Sequence, residues 1–157
     1  MARCLLLIAA LLSSTVATGA PRADFLRDAI RGDYSEMTLG RLIQSKGATQ
    51  QVRSFGATLV RDHGIGLREA RTAAARAGLH IAVAMTPEAA REENRLQHLR
   101  GRPFDVEVRR YMIDDHREDI AKFRAQARSG DRATAGLAAA TIPVLERHLA
   151  LAEAIHG

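Results

Sequence analysis

The chain has 157 residues, 46% of them hydrophobic, which suits a single domain with one core. Its net charge of +5 arises from 23 Lys and Arg against 18 Asp and Glu, interspersed rather than gathered into blocks. With no tryptophan and 4% aromatic residues, there is neither a basic block nor a stacking set, which argues against nucleic-acid binding.

The first element in chain order does not belong to the core. Arg3, the apolar run Leu5 to Leu12, and the small or polar stretch Ser13 to Ala20 follow the order of a secretory signal. The apolar run is shorter than the roughly 20 residues a membrane span needs. Ala17 and Gly19 suit the small positions before a cut, whereas a cut after Ala20 would leave Pro21 beyond the scissile bond. The expectation is therefore a signal peptide over residues 1–19 and one domain over residues 20–157. The mature chain would be periplasmic or secreted, with no transmembrane segment. Cys4 is the one cysteine and leaves with the signal, so neither a disulfide nor a thiolate ligand is available to the domain. The fold must then hold by packing alone.

Four long segments rich in alanine, leucine and arginine carry the helical spacing of apolar residues. The first runs from Asp24 to Ser45, with Phe25, Ala29, Met37, Leu39 and Ile43 directed inward, and is closed by Lys46 and Gly47. The second runs from Thr49 to Ala77 with Val52, Phe55, Leu59, Leu67, Ala70 and Ala74 on its stripe, and stops at Gly78. A crossover from Leu79 to Arg102 carries a short helix introduced by Thr86 and Pro87. The third long helix opens at Pro103 and ends near Arg128, with Phe104, Val108, Met112, Ile120 and Phe123 inward. The fourth follows Asp131, a natural N-cap, and continues to the C-terminus through Leu137, Val144, Leu145, Leu151 and Ile155. Pro143 within it removes one backbone donor and is expected to kink it. Short turns join the first pair and the last pair, so the expected architecture is all-α: an antiparallel four-helix bundle with one longer crossover.

Three of the six histidines, His80, His98 and His156, fall where solvent is expected. The other three fall on three different long helices, each interrupting an apolar stripe. His63 stands four after Leu59 and four before Leu67; His116 stands four after Met112 and four before Ile120. His148 stands four after Val144 and three before Leu151. Positions so spaced share one helix face. The helix midpoints lie near Asp33, His63, His116 and Val144, and in an antiparallel bundle midpoints meet at one level. The first helix offers Glu36 at that level, flanked by Gly32 and Gly40, which leave room for a neighbouring helix.

Burying three imidazoles and a carboxylate without partners is costly. Two arrangements resolve the cost: a metal-free network with one imidazole charged, or three neutral imidazoles and a carboxylate around a divalent ion. Such a donor set suits zinc, and also iron, manganese or copper. Asp62 and Asp115 each precede a central histidine. A neighbour one position away points about 100° round the helix, so each aspartate is placed to accept an N–H bond from a histidine of an adjacent helix, or else to be an ordinary surface acid. Tyr111 and Asp119 lie near the same level and are weaker candidates.

These residues resemble the bacterial family catalogued as domain of unknown function 4142. The resemblance rests on Glu36 with Leu39, Gly40 and Leu42, on Val52-Arg53-Ser54-Phe55-Gly56, and on Asp62-His63. It continues through Phe104-Asp105, Tyr111-Met112-Ile113-Asp114-Asp115-His116, Phe123 and Ala127, then Thr141, Pro143, Leu145, His148 and Leu149. It implies a ferritin-like bundle and an exported protein, and treats Glu36, His63, His116 and His148 as one site, without implying an activity. The outer-membrane label that family members often carry finds no strands here to support a barrel. None of the three central histidines closes a Glu-x-x-His motif, which sets the site apart from carboxylate-bridged di-iron centres.

The resulting expectation is an exported metal-binding bundle with a histidine-rich, mononuclear site, serving metal handling or an envelope stress response. The alternative is a metal-free structural or interaction protein of the cell envelope, whose buried polar layer fixes helix register. No nucleophile or pocket motif argues for an enzyme.

Overall fold

The computed structural model describes residues 19–129 and 131–156. It comprises α1 (Gly19–Lys46), α2 (Gln50–Arg76), α3 (Pro87–His98), α4 (Gly101–Ala127) and α5 (Arg132–Glu153). The signal expected over residues 1–19 lies outside the described residues, apart from Gly19 at the start of α1. Among the described residues, no helix is long and apolar enough to cross a membrane.

Local chemistry sets the helix ends. Thr49, Thr86 and Asp131 each accept a backbone N–H from the first turn of α2, α3 and α5, occupying donors that have no partner inside the helix. Gly78, at φ 70°, ends α2. Its N–H reaches the Ala75 carbonyl, and that of Leu79 reaches Ala74, a pairing that needs the left-handed conformation glycine adopts freely. The first helix begins five residues earlier than its apolar pattern does, because Gly19 to Ala23 continue it as an extra turn. Helix α5 runs unbroken through Pro143.

Helix α1 packs along α2 and α4 along α5, while α2 also meets α5 and α3 bridges α1 and α4. Directions follow from contacts at the two ends. At one end the Asp105 carboxylate of α4 accepts the Ala48 and Thr49 N–H groups of the α1–α2 turn at 2.9 and 3.0 Å. At the other, Arg22 of α1 holds Asp131 at the start of α5 at 2.6 Å. Neighbouring long helices are thus antiparallel, and the one long connection, containing α3, returns the chain to the end where the α1–α2 turn lies. This is a four-helix bundle with one crossover, the ferritin-like connectivity.

Helices α1 and α2 come close together at Gly40 and Gly56. A Cβ at Gly56 would stand 2.6 Å from the Gly40 carbonyl and 2.5 Å from the Gln44 nitrogen, so these backbones touch where a side chain cannot fit. Gly32 is different: nothing lies within 4 Å of a Cβ built there. Only the second of the two expected glycines admits a neighbouring helix.

On α5 two of the expected inward residues, Leu145 and Ile155, are buried, while the rest of the buried face differs from the expected stripe. Leu151 is 39% exposed, while Ala152 is fully buried with Ala138, Leu145 and Ile155. The true stripe alternates small and large residues, and alanine contributes too little hydrophobicity to outweigh the neighbouring leucines in a sequence pattern. On α1, Leu26 and Ile30 are buried beside Ala29, with Phe25 only partly covered.

The apolar interior falls into two clusters. One, near the α1–α2 turn, gathers Leu39, Ile43, Phe55, Leu59, Phe104 and Met112 with others. The second, toward the far end, is built on Leu26, Ala29, Ile30, Ala70 and Ala74. The polar layer containing the central histidines occupies the level between them.

Candidate functional site

His63, His116 and His148 are all buried, and one ring nitrogen of each lies within 4.8 Å of the others. Their ring centroids are 5.1–5.9 Å apart. Among the described residues this is the one group of His, Cys, Asp or Glu side chains spaced to hold a metal ion. His80, His98 and His156 are exposed.

Each ring has one nitrogen fixed by an acceptor. His116 Nδ1 donates to the Met112 carbonyl one turn back, at 3.0 Å. His148 Nε2 donates to Asp62 Oδ2 of α2, at 2.9 Å. His63 Nδ1 donates to Asp33 Oδ1 of α1, at 2.9 Å. Burial and the neighbouring His63 lower the His148 pKa to about 4; burial pushes that of His116 well below the ordinary value as well. Both rings are therefore neutral near pH 7, and with one N–H already committed each presents a bare lone pair on its other nitrogen. Those two nitrogens, His116 Nε2 and His148 Nδ1, face each other at 3.4 Å. His63 Nε2 is buried and, among the described residues, has no partner.

Asp62 is held from outside by Arg61 at 2.8 Å and Arg147 at 2.6 Å. Burial alone would raise its carboxyl, but hydrogen bonds from Arg61, His148 and Arg147 outweigh that and hold it well below the usual carboxylate range. An ionised Asp62 fixes the His148 tautomer with its Nδ1 bare. This arrangement of carboxylate behind imidazole orients the ring and raises its basicity as a ligand.

Glu36 is 3% exposed. Its Oε2 has no hydrogen-bond partner among the described residues and stands 3.9 Å from His63 Nε2. Burial first, then the charges of Asp115 and Asp119, raise its carboxyl well above the ordinary value. Asp115 is displaced in the same direction, to about 7, by burial and by Asp119. It does not take an N–H from a neighbouring histidine: it turns toward Glu36, and its Oδ2 is 3.9 Å from His116 Nδ1, whose proton goes to Met112 instead. The role expected of Asp115 belongs to Asp33, which the sequence marks only as a helix midpoint. A signal was present, since Asp33 precedes Glu36 by three and shares its face. Gly66 makes the Asp33 placement feasible, for a Cβ there would meet the carboxylate at 2.7 Å.

Glu36 and His63 also line a partly open cavity of about 620 Å³ between α1, α4 and the start of α3. Asp33, Tyr111, Asp115 and Asp119 contribute to its wall, whereas His116 and His148 lie behind it. Burial and the adjacent carboxylates raise the Tyr111 pKa, keeping its hydroxyl protonated. The chain does contain one Glu-x-x-His, Glu153 to His156, but it falls at the end of α5 with Glu153 paired to Arg117 at 2.8 Å, away from the central layer.

The fold and site thus define a helical bundle with a buried three-histidine cluster able to hold a metal ion. The chain belongs to the family described as Domain of unknown function (DUF4142), whose sequence profile matches residues 10–155. No curated protein and no solved structure matches it.

Proposed function

We propose that this is an exported protein that binds one divalent transition-metal ion, with His63, His116 and His148 as ligands and Glu36 as the fourth, for metal handling in the periplasm or outside the cell. The observation that carries the reading is the pair of bare nitrogens on His116 and His148, 3.4 Å apart. Two lone pairs at that distance repel unless a cation lies between them. Ligands in a tetrahedral zinc shell are separated by about 3.3 Å, given zinc–nitrogen bonds of about 2.0–2.1 Å. The unpartnered His63 Nε2 and Glu36 Oε2 face each other across 3.9 Å, so one ion resolves both mismatches. Zinc, iron, manganese and copper all accept such donors. The signal-like order of residues 1–19 supports export.

Elemental analysis of the untagged protein is expected to find about one ion per chain after incubation with each of these four metals. A His63→Ala/His148→Ala double variant that still folds is expected to retain none. A wild type free of all four would leave the alternative, a metal-free envelope protein with a register-setting polar layer.

A further inference from the structure

The cavity is opposite in charge to the molecule that contains it. The chain carries a net +5, yet seven of the cavity's lining side chains are carboxylates against the cations Arg31 and Lys122. Glu118 and Asp28 at its mouth are exposed, Asp115 and Asp119 are half-buried, and Glu36 and His63 at its base are buried. Glu36 is the decisive group: it is 3% exposed, its Oε2 lacks a partner among the described residues, and it borders both the cavity and the histidine cluster. On the opposite side the cluster is closed by Asp62 with Arg61 and Arg147. His116 and His148 do not line the cavity. An ion arriving from the cavity meets Glu36 and His63 before either.

From this geometry we infer that the cavity is the loading route of the metal centre: a hydrated divalent cation collects among Glu118, Asp119 and Asp115 and is passed by Glu36 to His63. The inference rests on the metal-binding reading given above. Space permits it, because six waters occupy about 180 Å³ at about 30 Å³ each, well within a cavity of about 620 Å³. The carboxylates favour it, because a cleft lined by one sign of charge concentrates the opposite ion and raises its rate of arrival. Lys122 works against this, since it neutralises part of the mouth through Glu118 at 2.7 Å and Asp119 at 3.7 Å. Gly32 supplies a means of closing the route. It lines the cavity with open space around a Cβ, so a side chain placed there starts out into the void.

The test measures uptake of cobalt(II) chloride by metal-free protein in stopped flow, with affinity determined separately at equilibrium. Glu118→Gln/Asp28→Asn, which removes the two exposed acids of the mouth, is expected to slow uptake about tenfold at low salt and to weaken its dependence on ionic strength. Lys122→Gln is expected to quicken it, and Gly32→Trp to slow it most. All three should leave the equilibrium affinity within about twofold of wild type, as none touches the ion at rest. Wild-type uptake rates in every variant that folds would overturn the route while leaving the metal centre intact, as would affinity losses that account for the slower rates. A wild type that binds no cobalt would overturn the metal-binding reading itself. If Gly32→Trp does not fold, the opposed effects of the two charge variants decide the matter.

Discussion

The two sides of the central polar layer are built on opposite terms. On the α5 side, His148 donates to Asp62 and His116 to the Met112 carbonyl, so each ring N–H has an acceptor, and Asp62 is closed outward by two arginines. On the α1–α4 side, burial and neighbouring negative charges raise the carboxyls of Glu36, Asp115 and Asp119 together. One side fixes the direction of its rings. The other is electrostatically strained in a way that a cation relieves. A metal centre needs both, because ligand rings must be aimed in advance while something must favour the ion's arrival over an empty site.

The sharpest break in this comparison comes from the side with the fixed rings. His116→Ala removes a nitrogen that no other residue replaces, and is expected to abolish metal binding in isothermal titration. Thermal scans should agree: metal at about 100 times its Kd adds about 2.7 kcal/mol of stability to wild type and nothing to the variant.

Next in size are the carboxylates behind the rings. Asp62→Asn and Asp33→Asn keep the shape but lose the charge that fixes each tautomer, and each should weaken metal binding by about 10- to 100-fold. If Asp115→Asn weakens it as much as Asp33→Asn does, the assignment of Asp33 as the partner of His63 is wrong.

The two sides should also titrate in opposite senses in metal-free protein. Burial pushes Asp115 up to about 7 and, with the nearby Glu118, Asp119 up to about 6, so both keep protons after the unfolded chain has lost its own. The stability they contribute is present at low pH and lost as pH rises from about 4 toward 7. His148, lowered to about 4 by burial and His63, gives stability that is lost as pH falls from about 6.5 toward 4. Urea denaturation between these limits should therefore show His148→Gln declining more steeply than wild type as pH rises. Asp115→Asn/Asp119→Asn should show the reverse. Parallel profiles for all three proteins would remove the distinction between the sides.

The smallest effect is expected at Gly32→Ala. Its Cβ meets nothing within 4 Å, so removing a helix-interior glycine should stabilise the fold by about 0.5–1 kcal/mol. Metal affinity should be unchanged, in contrast to Gly66→Ala, whose Cβ would displace the Asp33 carboxylate and weaken the support of His63.

Helix periodicity carries much of this in the sequence. The spacing of His63, His116 and His148 within apolar stripes, and their distance from the helix ends, already place them on facing sides at one level. Partner choice is not periodic and is harder to read. Asp105 sits inside the start of α4, but its function is to cap the α1–α2 turn, through bonds spanning 57 and 56 positions. Asp33 and Asp115 look alike in sequence; a glycine on the opposite helix, Gly66, makes room for the first beside His63, while Asp115 faces another acid. The partial mismatch on α5 has a simpler origin, for Ala138 and Ala152 share the buried face with Leu145 and Ile155, while Leu137 and Leu151 dominate the pattern.

The distribution of the ligands over the hairpins has a consequence for assembly. Glu36 and His63 belong to α1 and α2, His116 and His148 to α4 and α5, so in the proposed centre neither hairpin would own a complete coordination shell. On that proposal a chain still lacking its last helix would have nowhere to keep an ion, and metal capture would be a checkpoint that only the finished bundle passes. The two hairpins, prepared as separate fragments, should accordingly find each other more tightly with metal than without, the ion acting as the clasp between them.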